Sequence, residues 1–177
     1  MTIGKIISKN GLDQDSLVEY LSNVLTNFNL LRTTVYNQCY GYANLGEGTN
    51  ANTIKTQAAI SFSIGGTMYT KAITDNIAMT ACAQQAISTY CLYLASINAA
   101  GTVTLTKGTE VATDTATLPA TPANNVAFGY IKVATDASHT FTSGTTDLSA
   151  AGITATYANL AFNTKSSEVS SALSLSV

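Results

Sequence analysis

Charge is what this sequence has least of. Only 10% of its 177 residues are Asp, Glu, Lys or Arg, against about a quarter in ordinary soluble domains. A surface this poor in charge gains little solubility from self-repulsion, and burying it against a neighbour meets a small penalty. Life inside an assembly is favoured, with a threonine-rich monomer as the alternative. The eight cations, Lys5, Lys9, Arg32, Lys55, Lys71, Lys107, Lys132 and Lys165, are scattered singly, and the net charge is −2. No basic stripe exists to neutralise phosphates, which argues against nucleic-acid binding. No run approaches 18 apolar residues without interruption, so no membrane span is expected. Residues 1–8 (Met-Thr-Ile-Gly-Lys-Ile-Ile-Ser) lack the apolar stretch and cleavage site of a secretory leader. The expected setting is a cytoplasm, or release from one by lysis, and the absence of any Asn-x-Ser/Thr acceptor agrees with that.

Chemistry-bearing residues are equally scarce. Nucleophilic catalysis needs a base near neutral pH, usually His, and His139 is the single histidine. It lies within Asp136-Ala137-Ser138-His139-Thr140, too local a cluster for a triad assembled from distant segments. Glu47, Asp75, Glu110, Asp114, Asp136 and Asp147 stand alone in segments read as loops, with no calcium-loop spacing. Gly46-Glu47-Gly48 lacks the third glycine, preceding strand and lysine of a nucleotide loop. Cys39, Cys82 and Cys91 cannot all pair within one chain and match no zinc or redox spacing. They read as buried free thiols, with a Cys82–Cys91 bridge as the alternative. No catalytic residue, metal or cofactor is therefore expected. With no Trp, the nine tyrosines point to core and subunit packing more than to a sugar platform.

What is present begins near Asp13. Leu17, Leu21, Val24, Phe28, Leu31 and Val35 recur at steps of four and three, which puts all six on one stripe of a helix. Asp13, Asp15 and Glu19 place negative charge in or near the first turn, where the helix dipole welcomes it. Asp13 or Ser16 is the expected N-cap, the latter in a capping box with Glu19. The six also fit a and d of a heptad over about three repeats. Val18, Tyr20 and Leu25 occupy flanking positions where an exposed dimer prefers Glu and Lys, so the apolar face is wider than a two-stranded seam needs. Two covers are open: bundling with other subunits, most naturally as a homotrimer, or docking on the chain's own sheet.

Beyond Tyr42 the period changes. Asn44 to Asn52, rich in Gly and Asn, reads as a loop or linker. Ile60, Phe62 and Ile64 then alternate with small residues, and Gly65-Gly66 predicts a tight hairpin into Met68–Lys71. Asp75 to Gln85 suits either a short helix or a strand. Thr89 to Ile97 reads as a strong strand, turning through Asn98–Gly101 into Thr102–Thr106. Ala112 to Asn125 holds both prolines and reads as an irregular crossover. Strands follow at Val126–Ala134, with a bulge at Gly129, at His139–Thr142 and at Ile153–Leu160. The expected fold is mainly β: an antiparallel sandwich or small barrel of about seven or eight strands after an N-terminal helix. The expected domains are a helical attachment or oligomerisation segment at 1–45, a β domain at 46–162 and a tail at 163–177.

Three stretches carry a likeness: Phe62–Ala72 (Phe-Ser-Ile-Gly-Gly-Thr-Met-Tyr-Thr-Lys-Ala), Tyr93–Thr104 (Tyr-Leu-Ala-Ser-Ile-Asn-Ala-Ala-Gly-Thr-Val-Thr) and Phe141–Leu148 (Phe-Thr-Ser-Gly-Thr-Thr-Asp-Leu). In texture the span from Ala58 to Leu160 resembles small virion structural proteins of tailed bacteriophages, of the capsid decoration, cement and head-fibre kind. The resemblance implies a trimeric, β-rich, non-enzymatic protein located in the virion, contacting itself and the major capsid or another virion protein. It implies residues 1–45 as the attachment part. A tail-fibre or adhesin module binding a host-surface ligand is the alternative.

Overall fold

A computed structural model of the protein describes residues 14–34 and 37–161. The chain divides into a helical unit and a β unit, the latter spanning 36–163. The helix α1 runs Gln14–Thr34. Its start places Ser16 inside the first turn and not at the cap, while Asp13, the other candidate cap, lies outside the described residues.

The β unit contains ten strands among the described residues: β1 (Gln38–Cys39), β2 (Leu45–Glu47), β3 (Thr53–Thr56), β4 (Ile60–Ile64), β5 (Thr67–Lys71), β6 (Thr74–Ala78), β7 (Tyr90–Asn98), β8 (Val103–Lys107), β9 (Asn125–Thr135) and β10 (Ile153–Asn159). They form three open antiparallel sheets, ordered β1-β4-β5, β10-β9-β7-β8 and β2-β3-β6. None closes on itself, so the small-barrel form of the expectation is overturned, and the strand count exceeds the seven or eight expected. Among the described residues the fold is mainly β with one N-terminal helix.

Where the sequence alternates cleanly, the strands fall as expected. Gly65 and Gly66 take φ of 61° and 78°, the left-handed values that a two-residue hairpin turn requires. In the next hairpin Asn98 Oδ1 accepts the amides of Ala100 and Thr102, each at 3.0 Å, and fixes the turn between β7 and β8. Departures occur where pairing overrides composition. Leu45–Glu47, read as linker, is a strand because it pairs with β3 and because Leu45 is buried. The ambiguous Asp75–Gln85 resolves into the end of β6 and an irregular run. His139–Thr142 contributes only a single bridge, Phe141 to Gln85.

One core joins all three sheets, with Cys39 and Phe62 from the first, Leu45 and Ile54 from the third, and Tyr93, Phe128 and Ile131 from the four-stranded sheet. Strand β7 is its centre, for Cys91 to Ile97 are buried on both faces. Topology explains the second face. β8 and β9 flank β7, so the 108–124 connection must cross it. Asp114 meets Lys132 of β9 at 2.8 Å during that crossing, and Leu92 and Leu94 lie buried. The proline-bearing crossover thus acts as a lid on β7.

The expected bulge is real. Ala95 opposes Gly129 and Ser96 opposes Ala127, leaving Phe128 as the extra residue. A Cβ on Gly129 would sit 2.8 Å from the Ala158 carbonyl oxygen and 3.2 Å from Leu45 Cδ2. Gly129→Val should therefore destabilise the β unit by about 1–3 kcal/mol through overpacking, read as a lower urea midpoint, while Ala127→Val should do much less.

Candidate functional site

Among the described residues, α1 carries a row of exposed apolar side chains. Leu17, Leu21, Val24 and Phe28 are 44%, 55%, 46% and 62% exposed, and Val18, Tyr20 and Leu25 are exposed as well. At 100° per residue these seven span an arc of roughly 160°. Leu31 lies within α1, and Val35 lies outside the described residues. Four of the six residues singled out for oligomerisation or attachment, Leu17, Leu21, Val24 and Phe28, therefore share one exposed face, with flanking positions that widen it. Fully covering one such side chain is worth roughly 1.5–3 kcal/mol.

In the β unit the polar constellations hold structure together. His139 Nδ1 lies 2.8 and 3.0 Å from the two oxygens of Asp136. The same carboxylate accepts the amides of Ser138 and His139, each at 2.8 Å, so it organises the exposed turn in which both residues sit. The imidazole lies over Gly152, where an added Cβ would meet Nδ1.

Gln85 was hidden in the ambiguous segment, yet it is fully buried. Its Nε2 donates to the carbonyls of Thr89 and Val133, both at 3.1 Å. Its Oε1 accepts from the Tyr93 hydroxyl at 3.1 Å. Its main chain exchanges two hydrogen bonds with Phe141, whose ring meets Tyr93 edge-on at 5.6 Å. Burial pushes the Tyr93 hydroxyl far above its usual range, so it remains a donor.

Lys107 pairs with Glu110 and also donates to the carbonyls of Ala83 and Gln84, while Glu110 accepts the Ala86 amide at 2.9 Å. Burial raises the Glu110 carboxyl, but the Lys107 hydrogen bond and the Ala86 amide outweigh it and hold the group below its ordinary value. Thr49, by its hydroxyl and its amide, lowers Asp75. The Ser138 amide, then the His139 ring, lower Asp136. Glu47 Oε1 is buried without a hydrogen-bond partner. Burial first, and the charge of Glu47 second, push the Tyr157 hydroxyl up to about 12.

All three cysteines are free, so the Cys82–Cys91 bridge does not form. Cys39 and Cys91 are buried, and burial raises both thiols; Cys82 is only partly buried. Among the described residues no group of three or more His, Cys, Asp and Glu is placed to hold a metal ion. Nor is any helix among them long and apolar enough to cross a membrane. A cleft of about 330 Å³ opens between β1 and the turn before β9. Its residues come from segments some 85 positions apart (38 to 123 or so), and no local pattern announces it.

Two outcomes follow from these networks. Gln85→Leu strands the buried Tyr93 hydroxyl and removes one donor each from the Val133 carbonyl and from the Thr89 carbonyl, which keeps the Thr135 amide at 3.0 Å. It should cost about 1–3 kcal/mol in urea unfolding, with Gln84→Leu as the mild control. For the three lowered carboxyls the sign is fixed: their stabilisation is complete above the unfolded-state values of 3.8 and 4.5 and is lost as pH falls through the lower folded values. The urea midpoint should hold between pH 7 and about pH 5 and drop below about pH 4, and Glu110→Gln should make that drop shallower.

Compared with known proteins, the chain matches no family model, no curated protein and no solved structure.

Proposed function

We propose that this chain is a non-enzymatic virion structural protein of a tailed bacteriophage that decorates or cements the capsid, or forms a head fibre, by non-covalent subunit contacts. The carrying observation is the face of α1, where seven large apolar side chains stand exposed in one arc. Water cannot be the intended neighbour of such a surface. Its width, and the lack of Glu and Lys beside the seam, favour three helices over two, hence a homotrimer. The low charge of the whole chain supports the same reading, since neutral surface is buried at small desolvation cost.

In this reading residues 1–45 attach and trimerise, 46–162 form a β-sandwich body and 163–177 a tail. The partners are the chain itself and the major capsid or another virion protein. The location is the virion, assembled in the host cytoplasm. No catalysis, cofactor, metal, nucleic acid or membrane takes part. Cementing then means that apolar burial at subunit junctions resists separation of the shell. A tail-fibre or adhesin module binding a host-surface ligand is the second reading, and the cleft beside β1 is what favours it.

Two measurements test the proposal. Mass spectrometry of purified particles should find the chain, and intact virions without it would end the virion assignment. Sedimentation equilibrium should give a trimer for the full chain and a monomer for Leu21→Asp/Phe28→Asp, with unchanged unfolding of the β unit. A monomeric parent, or a variant that keeps its mass and loses β-unit stability, would assign the helix to docking on its own sheet.

A further inference from the structure

The cleft between β1 and the start of β9 is built from amides. Asn37 and Gln38 form one wall, and Thr121, Pro122, Asn124 and Asn125 the other. Among the described lining residues none is charged and none is aromatic. Several of these amides retain bonding capacity. Asn37 Oδ1 accepts the Gly65 amide at 2.9 Å, which leaves its NH2 group. Asn125 Nδ2 donates to Ser96 Oγ at 3.2 Å, which leaves its carbonyl. Gln38 is the decisive residue. It is 7% exposed, lines the cleft, and its carboxamide makes no hydrogen bond among the described residues. Its amide nitrogen and oxygen are not sealed from solvent. An amide with no partner among the described residues is free to bond what enters the cleft that Gln38 lines.

Asn124 adds a second feature. The turn that closes with the Asn125 amide on the Pro122 carbonyl at 3.2 Å holds Asn124 at φ 58°. Glycine would meet that backbone demand more easily, and asparagine meets it while presenting a carboxamide at the rim. The lining thus combines amide-bearing residues with the small apolar Pro122 and Val126.

A ligand for this surface must donate and accept in equal measure and carry no charge. Phosphates, carboxylates and ammonium groups would lose hydration with no opposite charge in return. Vicinal ring hydroxyls match carboxamides, since each hydroxyl donates once and accepts. The volume sits at the small end of ligand clefts, which run roughly 300–1,000 Å³, and suits a mono- or disaccharide. We propose that the cleft formed by Gln38, Asn124 and Asn125 is a binding site for a neutral saccharide. The inference goes beyond capsid attachment and holds whether or not the chain is found in particles.

The test uses the full chain and two probe sets. One is a panel of neutral disaccharides (maltose, cellobiose, lactose and di-N-acetylchitobiose), and the other is glucose 6-phosphate and glucuronate. Saturation-transfer NMR and titration calorimetry should show at least one neutral sugar binding at millimolar concentration and neither anionic sugar binding. Asn124→Gly keeps the turn, so it should preserve or raise the melting temperature while weakening the neutral sugar by about three- to tenfold. Gln38→Met keeps the side-chain length and removes the amide, and should weaken binding at least as much. If no neutral sugar binds, if only the anionic sugars bind, or if neither variant changes affinity while both remain folded, the proposal fails. Particle association plays no part in this outcome, so failure of the virion assignment stays distinguishable from it.

Discussion

Around the carboxamide of Gln85 three parts of the β unit are tied at one point. Its NH2 group closes on Thr89 and Val133, its oxygen takes the Tyr93 hydroxyl, and its main chain holds Phe141. The segment that carries it, 79–84, has no regular structure, so its position depends on side-chain bonds. Lys107 and Glu110 grip the same segment from the end of β8. In a low-dielectric interior each of these bonds is strong when satisfied and costly when broken. A charge-poor chain has few ion pairs to call on, and here neutral amides take over the task that charges fill elsewhere.

The second constraint is topological. Placing β7 between β8 and β9 forces the chain to travel across β7 to get from one to the other. That journey buries Leu92 and Leu94, which would otherwise face water, and turns an exposed sheet face into interior. Pro119 and Pro122 suit the path because it is not part of a sheet ladder, so their missing N–H groups go unneeded. The same connection ends in the Asn124 turn that leads into β9. Core formation and the amide cleft therefore share one length of chain.

How much of this was legible depended on where period and pairing agree. The helix, the Gly65-Gly66 hairpin, the Asn98–Gly101 hairpin and strands β9 and β10 carry local signals that tertiary structure left standing. Leu45–Glu47 did not, because Leu-Gly-Glu has one apolar residue and gains strand form only from β3. Closure into a barrel could not be judged either, since it is a property of edges and not of any one strand. Gln85 was missed for a general reason: alternation finds apolar residues that turn inward and is blind to a polar one that does. The helix face was readable residue by residue from Leu17 to Phe28. The cleft was not, because its walls meet only after folding.

The sulfur chemistry of the chain bears on what holds its sheets together. Cys39 and Cys91 are enclosed, and their thiols are held in the protonated, poorly nucleophilic form by that enclosure. No disulfide braces the sheets, so reductant has no bridge to cut, and oxidants find only Cys82 within partial reach. The pairing of the sheets therefore rests on hydrogen bonds and apolar burial, with no covalent link whose loss or gain would rearrange it.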